Sequence, residues 1–146
     1  MEMKRYRFGF EPWGVALFAL IMLPNIVWML VAGENDLLMQ PSVTPRLDVA
    51  VSISQILTVT GMICLRRCER LPFKPLWPLA LVAAYLLMWA LYGLGVNHVL
   101  VLLGLAVLPC AAILVFLAGR KNRIALIPAA VFAAGHVLSS FINFVR

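Results

Sequence analysis

The segment Ile124–Val145, IALIPAAVFAAGHVLSSFINFV, contains no charged residue and is long enough to cross a bilayer as a helix. At about 100° per residue, His136, Ser140 and Asn143 fall on one face of that helix. Small alanine residues extend this face toward the other end of the segment. Membrane helices turn polar and small residues toward neighbouring helices rather than toward lipid. The segment therefore predicts a membrane-spanning helix whose polar face points into a bundle.

The composition of the whole chain agrees with a membrane location. Of its 146 residues, 64% are hydrophobic and 12% are charged, and the mean hydropathy is +0.99. A soluble domain of this size is much less apolar. The net charge of +6 could indicate nucleic-acid binding, but the basic residues lie in short clusters between apolar runs. That pattern is typical of membrane proteins, so no nucleic-acid partner is expected.

Five apolar segments predict a single-domain, all-α integral membrane bundle with five transmembrane helices in residues 1–146. The expected spans are 13–32, 49–65, 76–95, 99–119 and 124–145. The second span is the shortest and lies near the lower limit of about 17 residues for crossing a bilayer. The fourth span is almost wholly aliphatic, and we expect it to have the most lipid contact. If the second span did not cross, the orientation of every later helix would reverse.

The basic residues between the spans predict the orientation. The segments outside the spans hold three, one, four, none, three and one of the twelve lysines and arginines, so alternate segments hold ten and two. Cytoplasmic segments of membrane proteins carry the excess of basic residues. We therefore expect a multi-pass protein of the cell membrane with a cytoplasmic N-terminus and an extracytoplasmic C-terminus.

Spans one and two each carry polar side chains that would be costly against lipid. Asn25 follows Pro24, which removes a backbone hydrogen bond and leaves carbonyl groups that an amide can satisfy. In span two, Asp48, Ser52 and Gln55 share one helical face. We expect that face to point into the bundle.

Span three carries an aromatic face formed by Tyr85, Trp89 and Tyr92. Such a face is usually packing or an interfacial anchor. Tyr85 lies in the middle of the span, where its hydroxyl needs a hydrogen-bond partner. We expect that partner inside the bundle.

In the predicted topology, these polar groups lie from the middle to the outer end of their helices. They predict an outward-facing cavity with Glu34, Asp36 and Asp48 at its rim. The candidate ligand-binding residues are Asn25, Ser52, Gln55, Tyr85, Trp89, Tyr92, His136, Ser140 and Asn143. The alternative is a set of interhelical hydrogen bonds with no cavity, each contributing roughly 0.5 to 2 kcal/mol.

The cysteines do not indicate a metal or redox site. Cys64 and Cys68 are spaced by three residues rather than the two of a Cys-x-x-Cys motif, and Cys110 lies inside span four. Buried, unreactive cysteines are the simpler interpretation. There is no glycine-rich phosphate loop and no lysine within a span. We expect no metal, no cofactor and no catalytic residue.

The pentapeptide Phe132-Ala-Ala-Gly-His136 resembles the Phe-x-x-x-His motif of the CAAX-type intramembrane proteases. That resemblance implies a role for His136 as a catalytic base or metal ligand. The family also uses a paired glutamate motif within the membrane and a second histidine motif. Here every glutamate lies outside the spans, and His98 lies in a turn. An intramembrane enzyme is therefore a minor hypothesis.

The segments Phe10-Glu11-Pro12-Trp13-Gly14 and Leu23-Pro24-Asn25 resemble segments of small multi-span membrane proteins of gut bacteria. The resemblance implies a membrane location in a bacterium and carries no function.

Our leading functional hypothesis is a protein that binds, or helps to transport, a small amphipathic or cationic molecule, or a lipid, in the predicted cavity. His136 could make that binding pH-dependent. The second hypothesis is an accessory or assembly subunit of a larger membrane complex. The lipid bilayer is the expected surrounding, and the small size makes a homodimer plausible.

Overall fold

The five apolar segments form five α-helices in the computed structural model, which describes residues 6–33, 36–68 and 74–144. A short 3-10 turn, Leu37–Met39, separates the first two helices. The helices are α1 Pro12–Val31, α2 Pro45–Cys64, α3 Leu76–Gly93, α4 Val99–Gly119 and α5 Arg123–Phe144. Each is long and apolar enough to cross a membrane. The prediction of five such helices in an all-helical bundle is confirmed.

Helix α2 is longer than its apolar sequence suggests. It begins at Pro45, four residues before the first residue of the predicted span, and contains 20 residues. Proline suits the first turn of a helix, because the N–H that it lacks would have no partner there. Asp48 also lies in this first turn, where a negative charge is favourable. The second span is therefore not short.

Helix α4 lies at the centre of the bundle, packed against α3 and α5, while α5 also packs against α2. In the most apolar window of α4, 44% of residues are buried, against 28% or less in the other helices. The prediction that α4 has the most lipid contact is therefore wrong. Lipid and protein interior are both apolar, so a very apolar helix can lie in either. Helix α1 is the least buried of the five, at 17%.

A two-stranded antiparallel ribbon, which the sequence did not predict, lies at one end of the bundle. Strand β1, Tyr6–Phe8, pairs with strand β2, Leu65–Arg67, and places Arg7 opposite Arg66. Two further backbone hydrogen bonds extend the pairing: Gly9 N donates to Cys64 O (3.0 Å), and Glu11 N donates to Ile63 O (2.9 Å). The ribbon thus joins the start of α1 to the end of α2. We call this end of the bundle the ribbon end, and the end with the 3-10 turn the loop end.

Asn122 links α2 to α5 at the ribbon end. Its Nδ2 donates to the carbonyl oxygens of Gly61 and Leu65, both at 3.0 Å, and its Oδ1 accepts from Ala125 N at 3.2 Å. The carbonyls at the end of a helix and the N–H groups at the start of the next have no partner within their own helix. One buried amide therefore caps the end of α2 and the start of α5.

Close packing of α1 on α2 depends on Gly14. A Cβ atom at this position would lie 2.6 Å from the backbone oxygen of Met62. We expect Gly14→Ala to lower the free energy of unfolding by roughly 1 to 3 kcal/mol, because the helices must separate to admit the methyl group. Denaturant titration of the purified protein in detergent measures the change.

The matched control is Gly119→Ala at the end of α4, where a Cβ would have no neighbour within 4 Å. We expect that variant to unfold like the wild type. Equal stability of the two variants would contradict the close approach of α1 and α2 at Gly14.

Candidate functional site

A cavity of about 130 Å³ lies in the middle of the bundle, near the midpoints of all five helices. Its lining is mainly apolar, with a few polar groups. The lining residues are Phe18, Ile21, Met22, Asn25, Gln55, Thr58, Val59, Tyr85, Leu105, Pro109, Ile113, Phe132 and His136. Because every helix contributes at least one of these side chains, the cavity depends on assembly of the whole bundle.

The cavity brings together four of the nine candidate residues: Asn25 from α1, Gln55 from α2, Tyr85 from α3 and His136 from α5. These residues are far apart in the sequence. Asn25 was expected beside the carbonyl groups that Pro24 leaves free, and the other three were expected on a polar or aromatic face of their own helix. An apolar wall with a few converging polar groups is the usual composition of a small-molecule site.

Two of the four polar residues are held by hydrogen bonds to α1. Asn25 Nδ2 donates to Ile21 O and to the Tyr85 hydroxyl, both at 2.7 Å. The Tyr85 hydroxyl donates to Ile21 O at 3.1 Å, and the Tyr85 side chain is only 1% exposed. The expectation that Tyr85 finds its partner inside the bundle agrees with this arrangement. The hydrogen bonds fix one wall of the cavity.

The other two candidate residues in the cavity, Gln55 and His136, have hydrogen-bonding groups that no described residue uses. Neither Gln55 nor His136 makes a hydrogen bond to another described residue, although both are half-buried and line the cavity. The His136 ring stacks on Phe132, with ring centroids 5.3 Å apart and planes 19° apart. Half-buried polar groups of this kind are usually satisfied by a partner or by ordered water. Gln55 and His136 are therefore the groups best able to bind a molecule in the cavity.

The remaining two residues of the aromatic face lie beyond the cavity, toward the loop end. Trp89 packs edge-to-face on Tyr85 and on Tyr92, with centroid distances of 6.4 and 5.9 Å, and lies 6.0 Å from Trp28. Its indole N–H is buried without a hydrogen-bond partner among the described residues. Trp89 and Tyr92 thus form an aromatic layer above the cavity rather than part of its lining.

Asp36 fastens the connection between α1 and α2 onto this aromatic layer. Its Oδ1 accepts from the Tyr92 hydroxyl at 2.5 Å and from Leu38 N at 2.9 Å, and its Oδ2 accepts from Trp28 Nε1 at 3.1 Å. Burial raises the pKa of this carboxyl, but the three donors together lower it further, so the net pKa is below its ordinary value of 3.8.

This lowered pKa makes the attachment of the loop pH-dependent. A carboxyl whose pKa is lower in the folded than in the unfolded state stabilises the fold above the unfolded-state pKa, and the stabilisation is lost as the pH falls through the folded-state pKa. We expect Asp36→Asn to lower the midpoint of thermal unfolding at about pH 6, and the deficit to shrink as the pH falls toward about 3. A difference in unfolding midpoint between Asp36→Asn and the wild type that stays constant from pH 6 to 3 would contradict a stabilising role for the ionised Asp36 carboxylate.

A second network at the loop end joins α2 to α5. Ser139 Oγ donates to Asp48 Oδ1 at 2.6 Å and lies 3.0 Å from Thr44 Oγ1. Asn143 Nδ2 donates to Thr44 Oγ1 at 3.0 Å and to Ser139 O at 2.8 Å. Asn143 Oδ1 accepts from Val43 N at 2.7 Å. Asn143 therefore lies outside the cavity and closes the loop end instead.

The other candidates also lie away from the cavity lining. Ser52 is exposed and donates to the carbonyl oxygen of Asp48 in its own helix at 2.8 Å. Ser140 is buried but is not among the lining residues. Asp36 and Asp48, expected at a rim, are engaged in the two hydrogen-bonded networks, and Glu34 lies outside the described residues. The polar residues thus divide between a cavity at mid-helix and interhelical hydrogen bonds at the loop end.

Several lining residues were missed by the sequence reasoning. Thr58 is fully buried on α2, where its hydroxyl donates to Ser54 O at 2.7 Å. Phe132 and Phe18 provide the apolar wall. Helical spacing places Thr58 at the edge of the polar face that contains Gln55, but Thr58 was not among the candidate ligand-binding residues. Nothing in the sequence distinguishes the apolar lining residues from those that face lipid.

The described residues contain no group of three or more His, Cys, Asp or Glu side chains arranged to hold a metal ion. His98 lies at the loop end, where its Nδ1 accepts from Leu100 N at 3.2 Å and caps α4. The interpretation of the cysteines as buried is confirmed for Cys110 and wrong for Cys64 and Cys68, which are exposed. No protein-family model, curated protein or solved structure matches the chain.

Proposed function

We propose that this protein is a non-enzymatic, multi-pass membrane protein that binds a small, uncharged amphipathic molecule in the mid-bundle cavity. The observation that carries the proposal is the presence, in a mainly apolar lining, of two half-buried polar side chains, Gln55 and His136, that make no hydrogen bond to another described residue. A dry apolar void would need no such groups. If the polar side chains served only to join the helices, Gln55 and His136 would be expected to form hydrogen bonds to neighbouring helices.

The volume of the cavity limits the size of the ligand. At about 130 Å³, it is smaller than the roughly 300 to 1,000 Å³ of sites for drug-sized molecules. An engineered cavity of about 150 Å³ takes up benzene. The cavity therefore suits a molecule of about six to eight non-hydrogen atoms, or a few water molecules in its absence.

The lining favours a neutral ligand over the cationic alternative. No described aspartate or glutamate lines the cavity, and Asp48, which interacts electrostatically with His136, accepts a hydrogen bond from Ser139, so a cation in the cavity would have no carboxylate in direct contact. Trp89 and Tyr92, which could support a cation through their ring faces, lie outside the lining. An amide and an imidazole can each donate and accept hydrogen bonds, which suits a hydroxyl, carbonyl or amide group on the ligand.

We also propose that the ribbon end lies in the cytoplasm. Arginine and lysine side chains concentrate at that end, whereas Arg46 is the one described basic residue near the loop end. The positive-inside bias supports this orientation in the cell membrane. Alkaline phosphatase fused after Arg146 should be active in intact cells, and a fluorescent protein at the same position should be dark. The reverse result would contradict the orientation.

A panel of small molecules tests the binding proposal. The purified protein is heated in detergent with phenol, cyclohexanone or benzyl alcohol, and separately with tetramethylammonium as a cation of similar size. A molecule at about 100 times its dissociation constant stabilises the folded state by about 2.7 kcal/mol, which a thermal-unfolding assay resolves. We expect a saturable rise in the unfolding midpoint with at least one neutral compound and none with the cation. A flat response to the whole panel, or a rise with the cation alone, would contradict the proposal.

The accessory-subunit hypothesis holds that the polar helix faces pair with a partner chain rather than with a ligand. Asp36, Asp48 and Asn143 instead form hydrogen bonds within the chain, so no observation favours a protein partner.

The enzyme hypothesis depends on His136, which stacks on Phe132. No described acid lines the cavity beside it, and Asp48, which interacts with it electrostatically, belongs to the loop-end network with Ser139.

A further inference from the structure

Helices α1 and α2 are in close contact at the ribbon end but have different neighbours at the loop end. The close contact is at Gly14, where α1 packs on the backbone of α2. Near the end of α1, Trp28 lies 6.0 Å from Trp89 of α3. At the start of α2, Asp48 accepts a hydrogen bond from Ser139 of α5. The two helices are therefore joined at one end and attached to separate parts of the bundle at the other.

The side of α1 that carries Gly14 becomes more exposed toward the loop end. Residues spaced by three or four positions share this side of the helix: Gly14, Phe18, Met22, Asn25 and Met29. Gly14 is buried, the next three residues are half-buried, and Met29 is 69% exposed. Each turn of α1 is thus less covered than the turn nearest the ribbon.

The facing side of α2 shows the same change. It carries Met62, Val59, Gln55 and Ser52, again spaced by three or four positions. Met62 is 1% exposed, Val59 and Gln55 are half-buried, and Ser52 is exposed. The two helix sides are therefore closed near the ribbon and open near Ser52. We call the wedge-shaped space between them the α1–α2 gap.

The central cavity lies directly behind the α1–α2 gap. Five residues of these two helix sides also line the cavity: Phe18, Met22, Asn25, Gln55 and Val59. All five are half-buried, whereas most of the lining residues from α3, α4 and α5 are buried. The cavity is thus more accessible from the α1–α2 gap than from the opposite side of the bundle.

Other boundaries of the cavity are more tightly packed. Between α2 and α5, a Cβ atom on Gly61 would lie 2.8 Å from the Cβ of Ala125, and one on Gly135 would lie 2.8 Å from Cγ2 of Val51. Toward the loop end, the aromatic layer lies above the cavity, with the connecting loop attached to it by Asp36. The α1–α2 gap therefore offers a less obstructed route than these boundaries.

The mouth of the α1–α2 gap is at the level of the bilayer hydrocarbon. Gln55 lies at the middle of the 20-residue helix α2, a level that hydrocarbon surrounds when such a helix crosses a membrane. Ile26 and Ile56, the sequence neighbours of two gap residues, are 54% and 64% exposed. The Ser52 hydroxyl donates to Asp48 O at 2.8 Å, which satisfies its hydrogen within α2. These surroundings suit contact with lipid rather than with water.

We propose that ligands enter the central cavity laterally from the bilayer, through the α1–α2 gap. This inference rests on the proposed function, because it concerns the ligand of the same cavity. It narrows the ligand class to neutral molecules that dissolve in hydrocarbon and carry one hydroxyl, carbonyl or amide group for Gln55 and His136. A cation or a strongly hydrated molecule would have to leave water before it reached the gap, at a large cost in free energy.

Three native methionines test the opening in the unmodified protein and without a ligand. The methyl groups of methionine are isotope-labelled, and NMR spectra are recorded in nanodiscs with dissolved oxygen, which concentrates in hydrocarbon, or with a gadolinium chelate, which stays in water. We expect oxygen to broaden the Met22 signal several-fold more than that of Met62 and nearly as much as that of the exposed Met29. We expect the chelate to leave Met22 unchanged. Protection of Met22 from oxygen equal to that of Met62, or broadening of Met22 by the chelate, would contradict a gap that opens to lipid.

A bulky side chain at the mouth tests the route of the ligand. Ser52→Trp narrows the α1–α2 gap outside the cavity lining, and its control is Ile53→Trp on another exposed side of α2. The probe is a fluorinated form of a neutral compound that stabilises the wild type, and NMR exchange measures its rates. Ser52→Trp should slow association and dissociation by about tenfold each and leave the dissociation constant unchanged, because the barrier rises equally for both directions. Ile53→Trp should leave both rates unchanged.

The rates separate lateral entry from the binding proposal itself. Binding to Ser52→Trp at wild-type rates would mean that the ligand takes another route, and weaker affinity with unchanged association would place Ser52 in the binding site. Either result contradicts lateral entry while leaving a ligand in the cavity. Absence of binding by every neutral compound would instead contradict the proposed function, and lateral entry of a ligand with it.

Discussion

Replacing Arg120 with methionine is expected to lower the free energy of unfolding by about 3 to 5 kcal/mol, the largest loss of stability that we predict. Arg120 Nη2 donates to Glu11 Oε2, and both side chains are largely buried, with 15% and 6% of their surfaces exposed. The substitution leaves the Glu11 carboxylate buried without its cation. Removing one partner of a buried pair is costly for this reason, even where the intact pair contributes little.

The contribution of the ion pair to stability can be distinguished from a general effect of mutation at the ribbon end. Denaturant titration in detergent measures Arg120→Met beside Lys121→Met, which changes the adjacent exposed residue and should cost no more than about 0.5 kcal/mol. The double variant Arg120→Met/Glu11→Gln removes both charges and should recover much of the lost stability. A double variant as unstable as Arg120→Met alone would show that the loss comes from packing rather than from the stranded carboxylate.

Filling the central cavity is expected to abolish ligand binding. Val59 lines the cavity from α2, and Val59→Phe places an aromatic ring where the ligand would lie. We expect the affinity for a neutral compound that stabilises the wild type to fall by about 100-fold or more, a loss of roughly 2.8 kcal/mol of binding free energy. The fold should persist, because the ring occupies existing space. Concentration-dependent thermal shifts of wild type and variant measure the difference.

The control for cavity filling is the same substitution at Val49, which is 60% exposed on the same helix. Val49→Phe should bind the compound like the wild type. If Val59→Phe also retained the thermal shift, the compound would be binding elsewhere on the protein or acting through the detergent. Loss of the shift in both variants would point to a general change in α2.

The helices could be predicted from the sequence because apolar runs of bilayer length have few alternatives. Their ends were harder to predict, since the first turn of α2 contains Pro45, Arg46 and Asp48, and Leu47 is its only apolar side chain besides the proline. The ribbon was missed because its strands contain only three residues each and lie in short basic segments beside the spans. Asn122 was missed for a related reason: its capping role appears only when the end of α2 and the start of α5 are adjacent.

The position of α4 shows a limit of hydropathy. Its mean hydropathy, 2.9, is the highest of the five helices, and it is also the most buried. In water this combination is expected, because apolar surface drives burial. In a bilayer, lipid is as apolar as the protein core, and close packing decides which helix is central.

The candidate site was only partly predictable from helical periodicity. A period of about 100° per residue assigns Gln55 and Ser52 to one face, but it does not fix how that face is rotated toward the neighbouring helices. In the structure Gln55 lines the cavity, while Ser52 is exposed. The same limit applies to α5, where Ser139 rather than its neighbour Ser140 bonds to Asp48. Helical periodicity shows which residues share a face, but the packing of the helices determines which residue of that face points into the cavity.

An experimental structure of the protein, purified with native lipid and determined in nanodiscs, tests the central claim most directly. We predict an open cavity between the midpoints of the five helices, with density larger than single waters within hydrogen-bond distance of Gln55 and His136. A cavity closed by direct hydrogen bonding of Gln55 and His136 to neighbouring helices, or one that holds only water-sized peaks, would contradict it.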